Sequence, residues 1–116
     1  MDKQNRRDSP RYYVTLYTEY VEREASPSMI LNMSESGFLL RGNLCAGTGG
    51  IISATFKVRP SSVETRVQAY GKVVRSRRIA NEYEYGVTIE GFGSPEEEEA
   101  YRSYVRELAE RGDRQA

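Results

Sequence analysis

Two arginines four residues apart bracket the segment Arg7-Asp8-Ser9-Pro10-Arg11, with Arg6 directly ahead of them. Each guanidinium presents a planar fork of N–H donors that fits two phosphate oxygens, or the O6 and N7 edge of guanine. Pro10 lacks an N–H and biases Ser9 away from helical angles, so the pair is expected on an extended or turned arm that can close around an anion. Further on, in Asn32-Met33-Ser34-Glu35-Ser36-Gly37, the polar residues Asn32 and Ser34 alternate with Met33 and can project from one face of a strand. Gly37 would let the backbone approach a ligand that a side chain would block. The same residues also have plain structural readings, as solvated charges near a terminus and as the formers of a tight turn.

Composition bounds what these residues can be doing. The 116 residues are 29% charged and 38% hydrophobic, with a formal net charge of +0 at pH 7, which suits one globular domain with a single core. Affinity for an anion must then come from local clustering of positive charge, because the overall field does not favour it. Of the 17 basic side chains only Lys3, Lys57 and Lys72 are lysines, and arginine is the better bidentate partner for phosphate and guanine. A genomic bias toward arginine codons would produce the same skew. With a single cysteine, Cys45, and no histidine, neither an internal disulfide nor a Cys/His zinc site can form, and a reducing compartment is expected. No nucleophile–base pair or metal set suggests an enzyme. No apolar run reaches the roughly 18 residues of a membrane span, and Met1-Asp2-Lys3-Gln4-Asn5 has no apolar leader region, so a cytoplasmic protein is expected.

The elements that must carry the polar residues are mostly strands. Residues 12–20 are rich in aromatic and β-branched types, turn formers follow at 23–28, and Met29-Ile30-Leu31 begins a second strand, so a hairpin is expected. Phe38-Leu39-Leu40 resumes the sheet, and the glycine-rich stretch 42–50 reads as a loop, since it lacks the Lys-Ser/Thr ending of a P-loop. Residues 51–58 form a fourth strand, closed by turn chemistry at 59–62, and a long fifth runs from 65 to 77 with Gly71 marking a bend or bulge. A sixth spans 83–89. On the fifth, Arg75 and Arg77 share one face by period-2 alternation and Arg78 falls on the other. Ser94-Pro95-Glu96-Glu97 is a helix start with a capping serine, a proline at the first helical position and a glutamate three residues after the cap. Ala100, Tyr101, Tyr104, Val105 and Leu108 then fall on one helical face, Gly112 is a natural stop, and the glutamates 96–99 complement the helix dipole. The expected organisation is an N-terminal arm over residues 1–11, an all-β barrel over 12–93, a helix over 94–112 and a tail over 113–116.

Taken together, Arg7 with Arg11, and Asn32, Ser34 and Gly37 in an Asn-x-Ser-x-x-Gly pattern, make the chain resemble the PilZ domain family, bacterial receptor modules for cyclic di-GMP. Gly71-Lys72-Val73-Val74-Arg75 and Tyr85-Gly86-Val87-Thr88-Ile89 resemble the paired late strands of that family. The resemblance implies a six-stranded antiparallel β-barrel with a C-terminal α-helix and a cyclic di-GMP site on its outer surface. Arg7 and Arg11 would take phosphate and guanine contacts, Asn32 and Ser34 would bond the base and nearby phosphate, and Gly37 would give close approach. Asparagine stands where aspartate is the family's commoner residue. Arg6 occupies a position associated with an intercalated ligand dimer, and Arg75 or Arg77 is a further candidate contact. The implied role is that of a non-catalytic receptor without cofactor or metal. It would pass the signal to an unidentified protein partner, in control of motility, surface polysaccharide or biofilm, by ordering its arm on the ligand. The alternative is an interaction module of the same fold, in pilus or flagellar assembly, that binds no nucleotide. Such modules generally lack the arginine motif. A general nucleic-acid barrel is disfavoured but would be revealed if oligonucleotides competed at low salt.

Overall fold

In strands the side chains alternate between two faces, and closing a sheet turns one face into a core. A computed structural model of the chain, describing residues 10–21, 28–43 and 48–112, has this arrangement. Six strands, β1 (Tyr12–Val21), β2 (Met29–Met33), β3 (Gly37–Gly42), β4 (Ile51–Val58), β5 (Thr65–Ile79) and β6 (Glu82–Phe92), pair antiparallel in the order β1-β2-β3-β6-β5-β4 and close as a barrel. The closing pair β1–β4 is short, running from Thr18 to Val21 on β1, and β5 extends beyond its β4 partner from Val73 onward. The barrel and terminal helix expected from the sequence are therefore present.

The barrel interior is filled by inward-facing residues of every strand, among them Val21, Ile30, Phe38, Leu40, Phe56, Val67 and Val87, all buried. One end is closed by the helix α1 (Pro95–Glu110), which buries Ala100, Tyr101, Val105 and Leu108. Phe56 meets both Phe38 and Tyr101 edge-to-face, at centroid distances of 6.0 and 6.2 Å, a favoured geometry for aromatic rings. The helix begins as its sequence implies. Ser94 Oγ accepts from the Glu97 amide at 3.2 Å, and the Glu97 carboxylate accepts from the Gln68 amide at 2.6 Å, so the cap also ties the helix to β5. Gly112 follows the helix end at φ +73, a conformation that glycine adopts without strain.

Register shifts interrupt the ladders of β1, β2 and β5. On β2, Ile30 pairs with Leu40 and Asn32 with Leu39, so Leu31 is an extra residue. On β5, Val73 pairs with Val87 and Arg75 with Gly86, so Val74 is extra. β1 carries two further irregularities, one between Tyr13 and Leu16 and one between Thr18 and Tyr20. At Gly71 the register does shift, between Tyr70 and Gly71, but Tyr70 pairs with Gly91 and Gly71 with Ile89, so the extra residue is Glu90 on β6 and β5 itself keeps its alternation there.

Candidate functional site

A bulge places two consecutive residues opposite one, so every residue beyond it changes face. On β5 the buried positions are Val67, Ala69, Gly71 and Val73, and strict alternation would carry Arg75 and Arg77 into the core behind them. The extra residue Val74 turns both outward instead. On β2 the extra Leu31 separates Asn32 from the inward face of Ile30, so that Asn32, though buried, lines the outer groove instead of the core. The irregularities thus bring side chains from separate strands onto one outer surface.

That surface is a groove of about 570 Å³, within the range of small-ligand sites. One row of cross-strand partners runs through it, Tyr13 to Asn32 to Leu39 to Gly86 to Arg75. Four strand spacings make this row roughly 19 Å long. Leu31 and the neighbouring pair Arg77 and Glu84 complete the lining. Gly86 forms part of the floor. A Cβ there would lie 3.5 Å from both Cβ and Nε of Arg75, so the arginine side chain lies along the strand that Gly86 leaves bare. Arg77 Nε donates to the Glu84 carboxylate at 3.3 Å. Arg75 has no hydrogen-bond or ion-pair partner among the described residues. Arg11, at the entry to β1, reaches the groove wall, where its Nη1 donates to Asn32 Oδ1 at 3.5 Å.

Of the residues singled out in the sequence, Arg11, Asn32, Arg75 and Arg77 come together here. Arg6 and Arg7 lie outside the described residues. Ser34 and Gly37 form the turn between β2 and β3. Ser34 is buried, and its hydroxyl accepts from the Ser36 amide at 3.2 Å and donates to the Gly37 carbonyl at 3.4 Å. Gly37 has a packing reason to be glycine, because a methyl group on it would run into the carbonyl of Val87 on β6. Tyr13, half-exposed at the groove rim, and Glu84 belong to no motif. Only their outward parity on β1 and β6 pointed to the surface.

The helix reaches the same turn. Tyr101 is fully buried, and its hydroxyl lies within donor distance of the Ser34 carbonyl at 2.8 Å and the Gly37 carbonyl at 3.2 Å. Arg102 Nη1 donates to the Glu35 carbonyl at 3.1 Å. Burial pushes the Tyr101 hydroxyl well above the usual tyrosine range, with Arg102 and Arg11 pulling weakly the other way. Tyr101→Phe is expected to cost about 1–3 kcal/mol, the penalty for leaving buried carbonyls short of a donor. The sign of the pH effect follows from the raised value. The contribution is intact below the ordinary tyrosine value of 10.0, and it declines above that as the unfolded chain ionises while the folded one does not. The slope is about 1.4 kcal/mol per pH unit for one proton. In urea melts this contribution should be flat from about pH 8 to 9 and should add a downward slope above about pH 10 in the wild type that is missing in Tyr101→Phe.

Among the described residues no group of three or more His, Cys, Asp or Glu is placed to hold a metal ion, and no helix is long and apolar enough to cross a membrane.

Comparison with known proteins agrees with the geometry. The PilZ domain model matches residues 5–107. No curated protein matches the sequence. Among solved structures, the inhibitor of motility MotI/DgrA of Bacillus subtilis is similar in fold, with a TM-score of 0.71 at 12% identity. The match covers 91% of this chain and 52% of that one, so this chain spans about half the length of that protein. With a family match running from residue 5 to residue 107, over a closed six-stranded barrel capped by one helix, the chain belongs to the PilZ domain family.

Proposed function

We propose that this protein is a cyclic di-GMP receptor whose ligand lies across the outer groove. The observation that carries the reading is the convergence of Asn32, Arg75 and Arg77 in one groove, from two strands that are not neighbours, with Arg11 of the N-terminal segment reaching Asn32 at its wall. Cyclic di-GMP offers two phosphodiester charges, guanine acceptor edges for arginine and guanine donors for side-chain oxygens. Arg75 and Arg77 supply positive charge where the chain as a whole has none to spare, and arginine planes can stack on bases. Arg7 and Arg6, preceding Arg11, would add phosphate and guanine contacts as the N-terminal arm closes over the ligand. Ser34 and Gly37 act in this reading through the turn that carries Asn32's strand into β3, and closure of the arm is the proposed switch that alters partner interaction. The domain's fold likeness to an inhibitor of motility makes control of movement the output we favour.

Calorimetric titration with cyclic di-GMP tests the reading. Losing a charged hydrogen-bonding partner costs roughly 1.5–3 kcal/mol, so Arg7→Ala and Arg11→Ala are each expected to weaken binding by roughly ten- to two-hundred-fold. No heat with wild-type protein at tens of micromolar would sink it, and the nucleotide-free interaction module would stand in its place.

A further inference from the structure

Resting on the cyclic di-GMP reading, we infer that Glu84 is the residue that selects guanine. Glu84 is the one carboxylate among the described residues lining the groove, and its side chain is held there at 12% exposure, beside Arg77 and with Arg41 of β3 as its cross-strand partner. A surface that bound phosphate alone would be better without it, since a carboxylate repels the ligand's charge. A carboxylate does have a use opposite a base. Guanine presents N1–H and N2–H₂ side by side, two parallel donors that match the two oxygens of one carboxylate, whereas adenine presents one donor next to an acceptor.

Asn32 cannot do this alone. Its amide has a single acceptor oxygen, and that oxygen faces the Arg11 guanidinium. The groove therefore divides the labour. Arg11 and Arg75 face the phosphates and acceptor edges, while Glu84 accepts from the guanine donors, with Arg77 beside it at 3.3 Å. Arg77 is largely exposed and can swing toward a phosphate without vacating the wall.

The test compares three ligands on four proteins by calorimetry: cyclic di-GMP, cyclic di-IMP, whose inosine bases lack only the 2-amino donor, and cyclic di-AMP, on wild type, Glu84→Gln, Glu84→Ala and Arg77→Gln. In the wild type, cyclic di-IMP is expected to bind roughly tenfold more weakly than cyclic di-GMP, one charged hydrogen bond being lost, and cyclic di-AMP more weakly still. In Glu84→Ala the gap between the first two should shrink to within about threefold, with Glu84→Gln between. Arg77→Gln should weaken all three ligands while keeping the gap. An undiminished gap in Glu84→Ala overturns the inference, as does a uniform tightening of all three ligands, which would make Glu84 only a repulsive charge. Closure of the gap by Arg77→Gln also overturns it, because Glu84 would then act only through that arginine. Wild type silent toward all three ligands is a different failure, that of the cyclic di-GMP reading itself. Thermal melts of the variants within about 3 °C of wild type confirm that the differences arise at the groove.

Discussion

Arg75→Glu is expected to remove cyclic di-GMP binding almost completely while leaving the fold intact. Losing the guanidinium costs roughly 2 kcal/mol of charged hydrogen bonding. A carboxylate in its place, about 5 Å from a phosphate at an effective dielectric near 20, adds about 3 kcal/mol of repulsion. Together these lower the affinity by roughly a thousandfold or more. Stability should change by less than about 0.5 kcal/mol, because Arg75 is exposed and partnerless among the described residues. Arg78→Glu is the matched control. It makes the same change of charge three residues away, on a side chain that donates to the Ala80 carbonyl and is not part of the groove lining. Its effect should stay within about threefold, being only the screened field of a distant charge. Equal losses in the two variants would mean that the ligand feels the general field and not this groove.

The second large effect is on stability, at Gly37. Gly37→Ala forces a methyl group into the Val87 carbonyl, and both atoms belong to paired backbones in the β3–β6 ladder. Neither can move without opening that ladder, so a cost of about 3 kcal/mol is expected, at the upper end of overpacking penalties. For a domain of this size that lowers Tm by roughly 10–15 °C. Gly86→Ala makes the same change one residue before Val87, where the added methyl group would meet nothing closer than 3.5 Å, and it should leave Tm almost unchanged. Melts of the two variants, followed by circular dichroism, separate the packing role of Gly37 from a role in ligand approach. A Gly37→Ala protein that melts like wild type and only binds more weakly would assign Gly37 to ligand approach instead.

The contrast between the two glycines marks a limit of what is local in the chain. The succession of strands along the chain, their extents to within a few residues and the capped helix were legible, because alternation, turn formers and the Ser94-Pro95 start are local properties of the chain. The pairing of the arginine motif with Asn32, Ser34 and Gly37 was legible as a resemblance. What distinguishes Gly37 from Gly86 was not, since it depends on which carbonyl lies across the ladder. Tyr101 likewise reads as one apolar position of a helical face. Its second job, holding the Ser34 and Gly37 carbonyls from 67 and 64 residues away, exists only once the helix is docked.

The deepest difference concerns facing. By itself the sequence determined six strands and a C-terminal helix, through the period of its apolar residues and its turn formers, with the barrel suggested by that count and implied by the family resemblance, and it determined which residue types were available to meet an anion. It did not determine that they would meet. By strict alternation Arg75 and Arg77 follow Val67, Ala69, Gly71 and Val73 into the core, and Asn32 follows Ile30. The unpaired residues Val74 and Leu31 shift each strand's parity by one and turn those side chains onto a common outer face. A bulge is a property of a pair of strands in register, not of either strand alone, so the groove was decided only when the barrel closed.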